Sequence, residues 1–121
     1  MTENDFYKKL VRQYLLKQGY KLFRVETGTT ASGVPDIWAI KNNHGMWIEM
    51  KSIQRNVKKI VSPKWEDNQL DFGKLCITAG VSWFLYILID DVFYKTNEPK
   101  EKYDINELIL VSEPLSFWVK K

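Results

Sequence analysis

The sequence predicts an α/β fold in which a mixed central β-sheet is flanked by helices. Two observations predict it. Helical and strand-like patterns follow one another in the order α-β-β-β-α-β-β, and residues 81–89 form a nearly continuous apolar run, as expected of a central strand covered on both faces. The length of 121 residues fits one domain, so we expect a single domain over residues 1–121.

The first predicted elements are a helix over residues 3–18 and a strand over residues 21–26. Thr2 is a candidate N-cap, and Gly19 is placed to end the helix. The helical period groups one apolar stripe, which consists of Glu3, Tyr7, Leu10 and Tyr14 with Phe6 and Val11 beside it. We therefore expect this stripe to face the sheet.

A hairpin follows the glycine-containing loop 28–33. Residues 35–40 and 46–51 are strand-like and flank a predicted turn at 41–45. A second helix is predicted over residues 64–79, with Gly80 closing it. Its apolar stripe consists of Trp65, Gln69, Phe72, Cys76 and Ala79.

The last third is predicted to be mostly strand. Asp90-Asp91 turns the 81–89 strand into a strand over 92–96, and residues 97–104 read as a polar loop. Residues 105–111 are ambiguous between helix and strand, and 115–119 is a candidate last strand. The helical connection from 46–51 to 81–89 predicts a right-handed crossover between parallel strands.

The charge distribution is more informative than the net charge of +3. Residues 51–64 contain five cations and no acid, and the rest of the chain carries more acidic than basic residues. This basic stretch is either a phosphate-binding surface or a solvated loop. As candidate DNA contacts it supplies Arg55, Lys58, Lys59 and Lys64.

Several classes of protein are disfavoured. Cys76 is the only cysteine, so no intramolecular disulfide can form, and no apolar run approaches a membrane span. The loop 28–33 lacks the lysine of a phosphate-binding loop, so we expect no nucleotide cofactor. We expect an intracellular, cytoplasmic protein without a membrane partner, and the Lys/Asn-rich usage suits a phage-encoded protein acting in its host's cytoplasm.

The hairpin places acidic residues together. Side chains alternate along 46–51, so Glu49 and Lys51 share one face, and the hairpin register puts Asp36 opposite Glu49, Met50 or Lys51. Directly opposed carboxylates lie about 4.5–5.5 Å apart at Cβ and repel each other unless a cation lies between them. Mg²⁺ fits such a pair. Ordinary exposed ion pairs are the alternative.

Two polar residues support a site rather than a surface. Glu3 and Gln69 both lie on predicted apolar stripes, where an unpartnered polar group is unfavourable. Glu3 could instead favour the helix macrodipole, and Gln69 could bond a nearby backbone group. We expect both to converge on the acidic hairpin. Trp38 shares the Asp36 face and is a candidate for substrate contact, with packing as the alternative.

These residues carry a resemblance to a known family. Gly33-Val34-Pro35-Asp36, twelve intervening residues and Glu49-Met50-Lys51 resemble the signature of the PD-(D/E)XK nuclease superfamily. The helix bearing Glu3 and the pair Phe23-Arg24 are similar to the start of archaeal Holliday-junction resolvases and VRR-NUC domains. Gln69 and Gly80 match the spacing of the latter, and Ser62-Pro63 resembles their Ser-Pro. The resemblance covers residues 3–96 and leaves the extension 97–121 unassigned.

The resemblance implies a restriction-endonuclease-like fold and a metal-dependent DNA endonuclease. Its implied catalytic residues are Asp36, Glu49, Lys51, Glu3 and Gln69. Mg²⁺, which Mn²⁺ could replace, would bind Asp36, Glu49, the Met50 carbonyl and Glu3. The implied contacts to the DNA backbone are Arg24, Thr29, Thr30 and Ser32.

Three hypotheses for the function and its DNA substrate remain. The first is branched DNA such as a Holliday junction, whose two-fold symmetry predicts a homodimer. The second is a non-catalytic DNA-binding module that keeps the nuclease fold. The third is a restriction-type or nicking nuclease on ordinary duplex.

Overall fold

A computed structural model describes residues 2–25, 33–54 and 59–112 of the chain. The chain begins with a continuous helical segment: α1 (Glu3–Phe6), a π-helical stretch (Tyr7–Val11) and α2 (Arg12–Lys17). The predicted ends are confirmed. The Thr2 hydroxyl accepts the N–H of Asp5 at 3.1 Å, and Gly19, at φ 89°, follows the last turn.

The buried stripe of this segment differs from the predicted one. Phe6, Leu10, Val11 and Leu15 are the core residues, while Tyr7 is only partly buried and Glu3 is exposed. Tyr7 and Tyr14 pack at the border of the same core, so the predicted face of the segment is confirmed and only its centre is shifted toward Phe6, Val11 and Leu15. Glu3, in the first turn, is exposed, so its predicted position against the core is wrong.

The central sheet has six strands in the order β1-β2-β3-β5-β6-β8. Among the described strands, β3 and β5 pair in parallel, and the other neighbours in this sheet pair antiparallel. The strands are β1 (Lys21–Arg24), β2 (Ile37–Lys41), β3 (His44–Ile53), β5 (Ser82–Ile89), β6 (Val92–Thr96) and β8 (Ile109–Ser112). A second, two-stranded sheet pairs β4 (Ile60–Val61) with β7 (Tyr103–Asp104).

Both predicted hairpins form, with small changes in their limits. β2 and β3 extend into the predicted 41–45 turn until Lys41 pairs with His44, and Asn42 takes the positive φ of 55° that the short connection needs. Asp90 and Asp91 connect β5 to β6 with φ values of 50° and 66°. The first predicted strand is shorter, since β1 ends at Arg24.

Helix α3 spans Gln69–Ala79 and begins five residues later than predicted. Asn68, just before it, has φ 68°, which is incompatible with a helix continuing through it from residue 64. The predicted mid-helix position of Gln69 is therefore wrong, because Gln69 is the first helical residue. The predicted end is confirmed at Gly80, whose φ is 75°.

The C-terminal third contains more structure than predicted. Strand β7 interrupts the predicted 97–104 loop, and the ambiguous 105–111 segment contains both a 3₁₀ turn (Ile105–Glu107) and strand β8. The candidate strand 115–119 lies outside the described residues. Across the described ranges, no helix combines the length and apolar character needed to cross a membrane.

The sheet has a hydrophobic core on each face, and the division follows the alternation of β3. Met46, Ile48 and Met50 pack with the N-terminal helical segment, whereas Trp47 and Ile53 pack with the core beside α3. The predicted alternation is thus confirmed. Glu49 and Lys51, which alternate with the methionines, lie on the α3 face.

Candidate active site

Asp36 is held at the end of β2 by two backbone hydrogen bonds. Its carbonyl accepts the N–H of Val25 at 2.9 Å, and its Oδ2 accepts the N–H of Met50 at 3.1 Å. The β2–β3 register pairs Ile37 with Ile48, so the next position along places Asp36 opposite Glu49. This is one of the pairings that the sequence predicts.

Gln69 connects the acidic and basic residues of the site. Its amide nitrogen donates to Glu49 Oε1 at 2.8 Å, and its Oε1 accepts from Lys51 Nζ at 2.8 Å. The same Oε1 accepts the backbone N–H of Glu66 at 2.8 Å. This last bond fixes the amide orientation, because an oxygen accepting two hydrogen bonds leaves the nitrogen facing Glu49.

The Glu49 carboxyl group is buried and incompletely satisfied. The side chain is 1% exposed, and among the described residues no group donates a hydrogen bond to Oε2. Burial, followed by the charge of Asp36, raises its pKa to about 9 despite the opposing effect of Lys51. A hydrogen bond with the Asp36 side chain also raises the pKa. Burial and the charge of Asp36 therefore favour the neutral form of the Glu49 carboxyl group when no metal ion is bound.

Lys51 provides the buried positive charge of the site. The residue is 7% exposed, and its Nζ lies 3.9 Å from Glu49 Oε1. The ammonium also lies 5.7 Å from the centre of the Trp65 ring, within the range of a cation–π contact. Lys51 is thus part of the enclosed site and not of an exposed basic surface.

Glu3 is the first residue of α1, and the charges of the site affect its carboxyl group. Desolvation raises the pKa of its carboxyl group, and the charge of Asp36 raises it further, whereas Lys51 and Arg24 oppose the shift. The charges of Asp36, Lys51 and Arg24 thus act on this carboxyl group, although the Glu3 side chain is exposed. Gln69 contacts the acidic hairpin directly through Glu49 and Lys51, whereas the convergence of Glu3 on the same site stays a prediction.

Gly33 allows the segment before Asp36 to approach the start of α3. Its φ is 94°, and a Cβ placed there would lie 2.5 Å from the carbonyl oxygen of Asn68. A side chain at this position would separate the Gly33–Asp36 segment from the turn that precedes Gln69. The glycine of the predicted motif therefore has a packing role in assembling the site.

The oxygen donors fit a hard divalent cation. Asp36 and Glu49 face each other, and Oε2 of Glu49, which accepts no hydrogen bond from any described residue, is available as a ligand atom. Within the described ranges, no group of three or more His, Cys, Asp or Glu residues is arranged to hold a metal. A pair of carboxylates is a donor set that suits an ion such as Mg²⁺, which needs only one or two of them and keeps several waters.

The predicted DNA contacts are dispersed or lie outside the described residues. The Arg24 guanidinium carbon lies 4.3 Å from the centre of the Tyr7 ring. This contact is on the sheet face that packs against the N-terminal helical segment, opposite the α3 face. Lys59 lies 3.5 Å from Asp104, with 66% of its side chain exposed, and Lys64 is exposed. The remaining predicted contacts, Thr29, Thr30, Ser32, Arg55 and Lys58, are outside the described ranges.

Sequence reasoning missed the contribution of the segment just before α3. Trp65 is predicted only as a helical packing residue, but it is non-helical and faces the Lys51 ammonium. Glu66 supplies the N–H that orients Gln69, and its charge also raises the pKa of Glu3. No local signal marks the late helix start, because Pro63 restricts only the residue before it and proline is common at helix starts.

No protein-family model matches this chain, and no curated protein sequence matches it. Solved structures do match. Among them is a 1.6 Å structure of Hjc, a Holliday junction resolvase from the archaeal hyperthermophile Archaeoglobus fulgidus, with a TM-score of 0.60 at 16% identity. The match covers 88% of this chain and 94% of the resolvase chain. The predicted α/β class with a mixed central sheet is confirmed, and the chain has the fold of this nuclease.

Proposed function

We propose that this protein is a metal-dependent endonuclease that hydrolyses phosphodiester bonds in branched DNA such as four-way junctions. Two lines of evidence support the proposal. The fold is shared with a Holliday junction resolvase, and Asp36, Glu49 and Lys51 of the nuclease-like motif meet at one buried site. Neither a non-catalytic module nor a structural role calls for this combination.

The observation that carries the proposal is the state of Glu49. Glu49 is 1% exposed, lies opposite a second carboxylate, and its Oε2 has no hydrogen-bond partner among the described residues. Even beside Lys51 this arrangement is unfavourable unless a further cation binds. A residue needed only for stability would be better replaced by an apolar side chain. We therefore assign Asp36 and Glu49 as metal ligands, with the Met50 carbonyl and Glu3 as further candidates.

Mg²⁺, when bound, would supply Lewis-acid stabilisation of the negative charge that develops on the phosphate. Lys51 would stabilise the same charge, because its hydrogen bond to Gln69 holds the side-chain nitrogen beside the two carboxyl groups. Gln69 would keep Lys51 and Glu49 in place. In the reaction a water oxygen forms the new P–O bond, one ester P–O bond breaks, and the leaving oxygen gains a proton.

We propose a homodimer as the active form on a four-way junction. A two-fold symmetric junction presents equivalent strands, so paired cuts require two sites related by the same symmetry. Sedimentation of the protein with and without junction DNA measures this. A monomer that cuts both strands of one junction in a single binding event would contradict the dimer.

The test is cleavage of a substrate panel in Mg²⁺ or EDTA. The panel contains a four-way junction, a matched duplex and single-stranded DNA. We expect metal-dependent cleavage with preference for the junction, and a loss of more than about 100-fold in Asp36→Asn. The matched control is Glu101→Gln, an exposed acid outside the site, which should keep full activity.

The other outcomes separate the competing functions. Cleavage in EDTA or by Asp36→Asn would refute the metal mechanism. Equal cutting of duplex and junction would indicate a nicking or restriction-type nuclease. Tight DNA binding without cleavage under any divalent cation, unchanged in Asp36→Asn, would indicate a non-catalytic module.

A further inference from the structure

A row of aromatic residues crosses the sheet beside the acidic site. The strand registers pair Phe23 with Trp38, Trp38 with Trp47, and Trp47 with Trp83. Directly paired residues on neighbouring strands share a face of the sheet, so these four side chains lie on the α3 face. The Trp38 and Trp47 rings are 4.7 Å apart between centroids, which is direct contact.

The row becomes more exposed toward the β1 edge. Trp83 is buried at 1% exposure beneath α3, Trp47 and Trp38 are partly exposed, and Phe23 is 52% exposed. The Trp38 ring at the exposed end of the row packs closely against the neighbouring strand. Gly45 lies under the Trp38 ring, and a Cβ there would be 2.4 Å from the indole, so the strand provides room for the ring to lie flat.

The aromatic row lies one same-face step from the acidic residues. Asp36 precedes Trp38 by two positions, and Glu49 follows Trp47 by two, so the rows are separated by about 6.6 Å along the strands. On the opposite side of the row, Lys21 pairs with Ile40 on the same face and is exposed. The surface thus runs from a cation through aromatic rings to the acidic site.

We propose that Phe23 and Trp38 form a stacking surface for an unpaired nucleobase of the DNA strand whose phosphate lies at Asp36 and Glu49. This inference rests on the proposed function and deepens it, because it names the feature of the substrate that the site selects. Bases inside a duplex are stacked on their neighbours and present no free face, whereas a base at a branch point or in a single strand does. Lys21 is placed to contact a neighbouring phosphate.

The chemistry of this surface favours a base over a protein partner. An aromatic face flanked by a cation and continuous with a phosphodiester-binding site matches single-strand binding surfaces, in which bases stack on aromatic rings and cations follow the backbone. A second copy of this chain would have to cover Lys21 and Phe23 together. Association through Phe23 is therefore treated as an outcome of the test.

The experiment measures DNA binding separately from cleavage. Full-length Asp36→Asn protein, in EDTA, is titrated with four-way junctions that carry 2-aminopurine either at the branch point or within an arm. The variants Trp38→Leu, Trp38→Phe and Phe23→Leu are each introduced into this background. Leu110→Ala is the matched control, because Leu110 is 57% exposed on β8 at the other edge of the sheet.

We expect quenching of the branch-point 2-aminopurine on binding and little change for the probe within the arm. Trp38→Leu and Phe23→Leu should each weaken junction binding by about 10-fold and abolish the quenching, because one stacking contact is lost. Trp38→Phe should retain both, and Leu110→Ala should bind like its parent. Phe23→Leu keeps the proposal testable if Trp38→Leu is unstable, because Phe23 is half exposed.

Unchanged affinity and quenching in Phe23→Leu would overturn the proposal. A change in sedimentation of Phe23→Leu with unchanged binding per protomer would overturn it in favour of a self-association surface. Because the readout needs no cleavage, a result in which base stacking occurs but no substrate is ever cut would refute the proposed nuclease while retaining the stacking surface. Cleavage with normal junction preference in Trp38→Leu would refute the stacking surface while retaining the proposed nuclease.

Discussion

Replacing Glu49 with glutamine should make the metal-free protein more stable at alkaline pH. The carboxyl group is 1% exposed, and burial with the Asp36 charge raises its pKa to about 9. Glutamine keeps an oxygen to accept from Gln69 and places an amide N–H₂ where Oε2 faces Asp36. The variant therefore retains the hydrogen bonds of the site and removes the ionisable group.

The sign of the effect follows from the direction of the shift. A carboxyl group whose folded-state pKa lies above its ordinary value of 4.5 binds more protons in the folded than in the unfolded state between those two pH values. Wild-type stability therefore falls as the pH rises through this window. One proton corresponds to at most about 1.4 kcal/mol per pH unit, so Glu49→Gln should gain up to about 2.7 kcal/mol relative to wild type between pH 6 and pH 8.

Urea denaturation in EDTA at pH 5, 6, 7 and 8 measures this difference. At pH 5 the ionisation of Glu49 should contribute little to the difference in unfolding free energy between the two proteins. As the pH rises, this difference should grow in favour of the variant. Glu101→Gln, an exposed acid, should follow wild type throughout. A wild-type stability that stays constant or rises from pH 6 to pH 8 relative to Glu49→Gln would show that the carboxylate is already ionised and satisfied, and the reasoning would fail.

Mg²⁺ should restore the stability that the wild-type protein loses as the pH rises. A cation that binds only the folded state at 100 times its dissociation constant stabilises by about 2.7 kcal/mol. At pH 8 we expect this gain in wild type and little of it in Glu49→Gln, measured by the same denaturation curves. Equal stabilisation of both proteins would place the bound ion elsewhere.

Two further predictions concern the parts that assemble the site. Gln69→Leu leaves the buried lysine and glutamate without their shared partner and should lower stability in urea by about 2–4 kcal/mol, whereas the exposed Gln54→Leu should stay within about 0.5 kcal/mol. Gly33→Ala should destabilise more than Gly80→Ala and reduce cleavage, because both have positive φ but only the first Cβ would meet a backbone carbonyl, that of Asn68 at 2.5 Å. Equal melting temperatures for the two alanine variants would refute the close-approach argument.

The hairpin shows how much the sequence can predict. Alternation along β3 predicts that Glu49 and Lys51 share a face, and a short connection limits Asp36 to a few partners. These are local properties, set by a period of two and a turn length. The helix ends at Gly19 and Gly80 are predictable for the same reason, since each depends on a few neighbouring residues.

The errors arise where distant contacts decide the conformation. The helical pattern of 64–79 is correct in period, but the backbone at Asn68 and the bond from Glu66 to Gln69 start the helix later. Periodicity likewise cannot reveal the π-helical stretch at Tyr7–Val11. Both features depend on how these segments pack against the sheet.

The sequence by itself determined the α/β class, the two hairpins and the shared face of Glu49 and Lys51, because these follow from side-chain period, turn residues and chemical type. Only the tertiary structure decided that the site is enclosed. Gln69 reaches both Glu49 and Lys51 because α3 packs over β3, and Oε2 of Glu49 is left unpartnered within the described structure because burial removes water. The solvation of these side chains and the coupling between their charges depend on all the elements packed around them, so no local sequence pattern predicts them.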